Sequence, residues 1–283
     1  MNRRERLGFA ALGACAGAVV VLTTALFGAI LSGGWPVLSW SFLASPPSAG
    51  MTEGGILPAV VGTLYVSAIT TISSVPLGVL AALYLHEYAR PGPLVRLVRL
   101  SIRNLSGVPS IVHGLFGVAL FVHGLGLGLS VLSSGLTLGL LTLPWVVTAS
   151  EEALRTVPRE QRDGAMALGA TRWEAMVTVV LPGAAPGILT GVILGLARAA
   201  GETAPILFTG VAFALPGLPR SPFDRFMALP YHLYVLATQH HDPATVRPIA
   251  YGTALVLFVL VAGLTGAAAV LRSRLRARRE GRA

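Results

Sequence analysis

The sequence contains no lysine, a single cysteine and few charged side chains of either sign. Without lysine it has no Gly-x-x-x-x-Gly-Lys-Ser/Thr loop, which excludes a P-loop site for nucleotide hydrolysis. The lone cysteine, Cys15, excludes an internal disulfide and a metal site built from several cysteines. Charged residues make up 12% of the chain, whereas ordinary globular proteins carry about 25%. The low charge argues against a soluble protein.

The sequence is instead rich in long hydrophobic runs. Its 283 residues are 54% hydrophobic, with a mean hydropathy of +0.73. Six apolar runs are long enough to cross about 30 Å of hydrocarbon. Small residues at 132–135 predict a tight turn between the third and fourth runs. We therefore predict an all-α integral membrane protein with six transmembrane helices, at 7–31, 56–85, 108–132, 135–154, 183–210 and 248–271.

The arginines predict the orientation in the membrane. Seventeen of the 21 fall at the N-terminus, in the loops after the second and fourth runs, and in the C-terminal tail. Because basic residues mark cytoplasmic loops, both termini are predicted to be cytoplasmic. The net charge of +9 is not interleaved with aromatic residues, so we expect no nucleic-acid binding. We expect membrane lipid headgroups to contact the tail, 272–283, and a basic helix face formed by Arg96, Arg99 and Arg103.

A charged pair interrupts the fifth run. Arg198 and Glu202 lie four residues apart, a spacing that places them on one helix face. A charge in the middle of a membrane costs about 2.5–3.5 kcal/mol, so such residues usually face a cavity or a partner. One interpretation is a station for an anion on a translocation pathway, with the Thr203 hydroxyl as a further donor. The other is an ion pair that only joins two helices.

The residues around this pair predict how its helix packs. Gly187, Gly191 and Gly195 recur every four residues, which favours close approach to another helix. Arg198 follows one turn later and should face protein rather than lipid. Pro205 predicts a kink just after the pair.

The histidines do not predict a metal site. His113 and His123 lie in the third run without acidic or cysteine partners at ligand spacing, so we expect polar packing. His240, His241 and Asp242 are expected to lie in a solvated loop outside the membrane.

The loop at 158–182 predicts two short amphipathic helices. The first begins near Pro158, and Gly169 is expected to end it in the left-handed conformation. The second begins at Thr171, which with Glu174 forms a capping box, and is expected to end near Pro182. Such a pair of helices could dock into a groove on a cytoplasmic partner.

This loop resembles the EAA loop of permease subunits in binding-protein-dependent ABC importers. That pattern is Glu-Ala-Ala, three residues, Gly, nine residues, Ile, one residue and Leu-Pro. The sequence departs from it by Asp for Glu, Gly for Ala and Val for Ile, at unchanged spacing. The matching positions, which the resemblance assigns to an ATPase-coupling loop, are Asp163, Gly164, Ala165, Gly169, Val179, Leu181 and Pro182.

Two further segments narrow the resemblance. Residues 104–112 and 114–117 are similar to the permeases of phosphate importers. The stretch 201–208, Gly-Glu-Thr-Ala-Pro-Ile-Leu-Phe, is similar to the PstA-like branch, whereas the PstC-like branch typically has Met-Ala-Val after Gly-Glu-Thr. The resemblance implies a type I ABC importer permease (MetI-like) fold. It also implies that the protein moves inorganic phosphate across the membrane by alternating access.

The resemblance also implies partners and a location. This chain would catalyse nothing and bind no cofactor, because ATP and Mg would be used by two PstB-like ATP-binding subunits. A homologous PstC-like permease would pair with it, and an extracytoplasmic PstS-like phosphate-binding protein would dock outside. The location implied is a bacterial cytoplasmic membrane.

The predicted organisation has three parts. Residues 1–55 form a first transmembrane helix and an extracytoplasmic loop, 56–271 form the permease domain, and 272–283 form a basic cytoplasmic tail. Three alternative functions remain open: a permease for another oxyanion such as sulfate or molybdate, a membrane scaffold or sensor without flux, and a membrane-embedded enzyme. The last lacks a Ser/His or paired-Asp constellation in its spans.

Overall fold

The computed structural model describes residues 3–215 and 217–280, and the last three residues of the predicted tail, 281–283, lie outside them. Within these ranges, five helices are long and apolar enough to cross a membrane. A sixth span is counted when two helices joined by a 105° bend, Pro93–Ser106 and Ser110–Gly124, are taken together. The prediction of an all-α multi-pass membrane protein is confirmed.

The helices follow one another along the chain with little other structure. Two short strands, β1 (Pro47–Ser48) and β2 (Glu53–Gly54), pair antiparallel. The helices are α1 (Arg3–Gly34), α2 (Trp40–Ala44), α3 (Leu57–Leu83), α4 (Pro93–Ser106), α5 (Ser110–Gly117), α6 (Val131–Arg155), α7 (Arg159–Ala167), α8 (Arg172–Ala175), α9 (Leu181–Ala200), α10 (Ala204–Thr209), α11 (Leu229–Thr238) and α12 (Pro243–Glu280). Wider π-helical turns extend α3, extend α5 and join α8 to α9, at Tyr84–Tyr88, Val118–Gly124 and Met176–Val180.

The centre of the bundle is α6, which packs between α3 and α9. Its contact with α9 depends on the predicted glycine stripe. A Cβ atom added at Gly191 would lie 2.1 Å from the Cβ of Ala149, and one added at Gly187 would lie 2.7 Å from the Cβ of Ala153. Because only a residue without a side chain fits there, the prediction of close helix approach is confirmed.

The turn between the third and fourth spans lies earlier than 132–135. The loop occupies 125–130, and α6 begins at Val131. Ser130 caps this helix, because its Oγ accepts a hydrogen bond from Ser133 N at 3.1 Å. Gly126 and Gly128 adopt φ of +66°, which is the conformation that glycine allows in a turn. The predicted turn was wrong because the capping serine outweighs small size as a helix signal.

The second helix of the cytoplasmic loop does not end near Pro182. The chain remains helical from Arg172 to Ala200 as one candidate span. Proline cannot donate a hydrogen bond, and its ring crowds the preceding turn of an ordinary helix. The wider π-helical turn Met176–Val180 ends two residues before Pro182 and gives its ring room.

The segment between α1 and α3, which was predicted to be extracytoplasmic, is packed rather than free. Phe42, Met51 and Ile56 are buried in one cluster with residues of α11 and α12. His240 is also buried, and its Nε2 lies 3.0 Å from the carbonyl of Gly50. The prediction of a solvated loop was therefore wrong for His240, since this ring holds two external segments together.

Candidate functional site

The fifth span breaks at the charged pair. Helix α9 ends at Ala200, where Gly201 N bonds to the carbonyl of Arg198 and Glu202 N to that of Ala199. Helix α10 then begins at Ala204 with Pro205 in its first turn, a position that proline favours. The predicted kink after the pair was wrong in place, because the break comes before Pro205 and includes Glu202.

Arg198 lies in the last turn of α9 and has two neighbours. Its Nε lies 3.5 Å from Glu202 Oε1, and its guanidinium stands 5.0 Å from the centre of the Trp145 ring on α6. The negative end of the helix dipole, the carboxylate and the aromatic face all stabilise the positive charge. One side of the Arg198 guanidinium therefore faces the Trp145 ring, a contact that no sequence pattern indicated, while half of the side chain stays exposed.

The pair remains accessible on one side. The side chain of Arg198 is 50% exposed and that of Glu202 is 18% exposed. The two Nη groups of Arg198 have no hydrogen-bond partner among the side chains that the structure describes. Several of the five N–H donors of this guanidinium are therefore available. A guanidinium held from one side by a carboxylate and a ring can bind an oxyanion with its other edge.

Thr203 lies in the break and precedes α10. Its carbonyl accepts a hydrogen bond from Leu207 N at 3.1 Å, so its backbone begins the short helix. The side chain caps nothing, and the residue is half-buried. Its hydroxyl is therefore a donor close in sequence to the charged pair.

In the loop at 158–182, the predicted end of the first helix and the predicted start of the second are both confirmed. Gly169 ends the first helix with φ of +95°, and no atom lies within 4 Å of the place where its Cβ would be. The Thr171 Oγ1 accepts from Glu174 N at 3.2 Å, and the Glu174 carboxylate accepts from Thr171 N at 2.7 Å. Both halves of the capping box are present.

The predicted coupling residues divide into an exposed and a packed group. Exposed residues lie on or just after α7, where Leu168 and, further on, Trp173 also face outward. The others are half-buried. The exposed group is Asp163, Gly164 and Gly169, and the half-buried group is Ala165, Val179, Leu181 and Pro182. The loop thus presents its motif outward and packs its later part against the bundle.

A buried ion pair joins this loop to the membrane helices. Arg162 Nη1 on α7 donates to Glu87 Oε1 at 2.8 Å. The Glu87 side chain is 3% exposed and lies in the π-helical turn that extends α3. Burial lowers the pKa of Arg162, but the hydrogen bond and the charge of Glu87 outweigh it and raise that pKa. The sequence offered only a weak signal, an acidic residue at the end of an apolar span.

A second ion pair lies beside the first. Arg99 Nη2 donates to the carbonyl of Leu85 at 2.7 Å and lies 3.1 Å from Glu151 Oε1 on α6. Arg99 therefore does not lie on the lipid headgroups as predicted, because its guanidinium donates to the Leu85 carbonyl and forms an ion pair with Glu151. Arg96 and Arg103 on the same helix are exposed.

Most of the chain matches a known protein family. Residues 74–277 match the family described as binding-protein-dependent transport system inner membrane component. A probable ABC transporter permease protein, YqgI of Bacillus subtilis, is 34% identical over 92% of this chain and 93% of its own length. The phosphate transport system permease protein PstA of Mycobacterium leprae is 42% identical over 75% of this chain and 68% of its own length.

Solved structures share the fold at low sequence identity. A chain of the MetNI methionine ABC transporter, in inward-facing conformations, aligns with a TM-score of 0.60 at 19% identity, covering 78% of this chain and 97% of that one. A chain of a bacterial alginate ABC transporter in complex with a pentasaccharide-bound periplasmic protein aligns with a TM-score of 0.70 at 14% identity, covering 96% of both. The predicted type I importer permease fold is confirmed.

Proposed function

The chain belongs to the family of binding-protein-dependent transport system inner membrane components, and on that premise we propose that it is the permease subunit of an ATP-driven importer of inorganic phosphate. Relatives named as phosphate permeases, at 33–42% identity, support this substrate. The family name supports a location in the inner membrane. The chain is a non-catalytic component, and ATP hydrolysis is carried by a separate subunit.

We propose a complete importer with four kinds of subunit. A homologous PstC-like permease would pair with this chain, and two PstB-like subunits would bind ATP and Mg. A PstS-like protein outside the membrane would deliver phosphate. The exposed face beside Arg198 and Trp145 supports a paired arrangement, because half of a charged site is open where a second subunit could close it. In this arrangement the phosphate path would run between the two permeases.

The observation that carries the proposal is the half-exposed guanidinium of Arg198 at a helix break. Phosphate carries oxygens that match the planar fork of arginine. Glu202 would hold Arg198 in place and would repel a dianion, so the site attracts phosphate without retaining it. Thr203 would add a hydroxyl donor. High affinity belongs to the binding protein, since a strong site in the pathway would trap its ligand.

The mechanism that we propose is alternating access. ATP-driven closure of the two ATPases would draw the coupling loops of the two permeases together, through Asp163, Gly164, Ala165, Gly169, Val179, Leu181 and Pro182. The membrane helices would open outward and accept phosphate from the binding protein. Hydrolysis would then reset the pathway to face inward.

The test is phosphate uptake into vesicles that contain the complete complex. Arg198→Gln and Arg198→Lys should both reduce uptake, Gln by about a hundredfold and Lys by about tenfold, because each loses charge or bidentate geometry worth about 1.5–3 kcal/mol. Arg247→Gln is the matched control. Arg247 also stands over an aromatic ring, that of Tyr251, at 5.8 Å, but on α12 far along the chain.

Each outcome of this test is informative. Near-normal uptake by both Arg198 variants would reject the pathway role and leave a purely structural ion pair. Inhibition of uptake by excess sulfate, with no preference for phosphate, would favour the alternative of another oxyanion. Absence of ATP-dependent flux in an assembled complex would favour a scaffold or sensor.

A further inference from the structure

We propose that the buried ion pair between Glu87 and Arg162 is the link through which the coupling loop moves the second membrane span. The inference rests on the proposed function and adds to it two positioning residues outside the coupling motif. Arg162 directly precedes Asp163, the first residue of that motif. Glu87 lies 75 residues earlier in the chain, at the cytoplasmic end of α3.

The Glu87–Arg162 ion pair holds α7, a helix without buried residues, to the membrane helices. Helix α7 has no buried residue, so little apolar packing holds it. Of the ion pairs that the structure describes, the bond from Arg162 to Glu87 alone joins α7 to a membrane-spanning helix. A displacement of α7 by a docked ATPase therefore acts on α3 through this bond.

Burial makes the link hard to break. The Glu87 side chain is 3% exposed, so little water can reach its carboxylate in place of Arg162. Removing one partner of a buried pair leaves an uncompensated charge, which proteins tolerate poorly. When α7 moves, the lower-energy response is for Glu87 and its turn to follow. An exposed pair would instead exchange its partner for solvent.

The turn that carries Glu87 is connected further into the bundle. In this π-helical turn, the carbonyl of Leu85 accepts from Arg99, which also pairs with Glu151 on α6. Helix α6 carries Trp145, the ring that stands against Arg198. Polar contacts, joined by the backbone of this turn, thus run from the motif helix to α6, the helix whose Trp145 stands against Arg198.

Free space next to the pair permits movement. A cavity of about 280 Å³ lies between the end of α3 and the start of α7, lined in part by His86, Glu87, Arg159 and Arg162. Because no side chain fills this space, α7 can tilt there without compressing a packed core.

The experiment measures ATP hydrolysis and phosphate uptake on the same vesicles containing the complete complex. The double variant Glu87→Gln/Arg162→Gln removes both charges and leaves neither buried alone. We expect phosphate transported per ATP hydrolysed to fall by about tenfold, within the range of known coupling changes, while hydrolysis continues. The charge-reversed variant Glu87→Arg/Arg162→Glu should recover part of the ratio.

The matched control is Glu152→Gln/Arg155→Gln. These residues also pair at 3.1 Å on the cytoplasmic side, but their side chains are 64% and 50% exposed. We expect the control to keep the wild-type ratio. Uptake and hydrolysis that fall in parallel in the Glu87/Arg162 double variant, or a ratio that stays unchanged, would overturn the inference.

A second readout separates this inference from the proposed function. The substrate-loaded binding protein should stimulate ATP hydrolysis by the wild-type complex, and the double variant should lose that stimulation. If wild-type vesicles take up no phosphate, the proposed function fails, and the stimulation still tests the link. A double variant stimulated as strongly as the wild type would reject it.

Discussion

Two of the arginine–glutamate pairs that the structure describes, Arg198–Glu202 and Arg162–Glu87, differ in almost every physical respect. Arg198 and Glu202 lie four residues apart on one span, 3.5 Å from each other, with the arginine half-exposed. Arg162 and Glu87 come from different parts of the chain, lie 2.8 Å apart and bury the carboxylate. The Arg198–Glu202 pair joins residues close in sequence, has the longer N–O distance and is partly exposed. The Arg162–Glu87 pair joins residues far apart in sequence, has the shorter N–O distance and includes a buried carboxylate.

The difference indicates that the two arginine–glutamate pairs have different roles. An exposed pair is weak because water and salt compete for both charges, so a passing anion can compete as well. A buried pair holds its partners because neither charge can be left alone. The first suits a site that must release its ligand, and the second suits a link that must transmit force.

The largest contrast should come from removing each arginine. Arg162→Met leaves Glu87 buried without a partner and should lower the free energy of unfolding by about 3–5 kcal/mol. Arg198→Met should lower it by about 1 kcal/mol or less. Thermal unfolding of the purified chain in detergent measures both. Equal losses would remove the distinction between the two pairs.

The packing that positions Arg198 gives the next effect. Gly191→Ala places a Cβ where the Cβ of Ala149 already lies, and should lower the free energy of unfolding by about 1–3 kcal/mol. Gly17→Ala in α1 meets no atom within 4 Å and should be neutral or stabilising by up to about 1 kcal/mol. Unfolding in denaturant compares the two. A tolerated alanine at Gly191 would show that α6 and α9 can separate without cost.

Substitutions of glycine in the loop at 158–182 should act through the backbone conformation of the glycine and not through steric contact of the added side chain. Neither Gly169 nor Gly164 has an atom near its Cβ position, but only Gly169 has a left-handed φ. Gly169→Ala should therefore cost about 1–2 kcal/mol and weaken binding of the ATPase subunit, measured by co-purification. Gly164 lies within α7, and Gly164→Ala should leave the ATPase subunit bound in the same co-purification. Loss of the ATPase subunit with both variants would indicate that the size of the added side chain, and not the backbone conformation, disrupts binding.

The smallest effect concerns the exposed pair itself. A double-mutant cycle with Arg198→Gln and Glu202→Gln should give a coupling free energy of at most about 1 kcal/mol at low salt. High salt should abolish this coupling, whereas the same cycle on Glu87 and Arg162 should be nearly independent of salt. A large, salt-independent coupling at Arg198 would make it a structural link as well.

Several features could be predicted because they depend on neighbouring residues alone. The capping box at Thr171 and the left-handed Gly169 each require a few consecutive side chains and backbone groups. The apolar runs required only length and hydropathy. Errors arose where two local signals competed, as at Ser130, which caps α6 ahead of the predicted turn, and at Pro182, which a wider helical turn accommodates.

By itself the sequence determined a multi-pass helical membrane protein, the helix end at Gly169 with the helix start at Thr171, and the presence of a charged pair in the fifth span. Hydropathy, charge placement and capping act over one or two turns, so order along the chain is enough to specify them. Only the tertiary structure decided that Trp145 stands against Arg198 and that Arg162 reaches Glu87. These contacts join segments 53 and 75 residues apart in the chain, and they form because helix packing and burial, which no local pattern encodes, bring those side chains together.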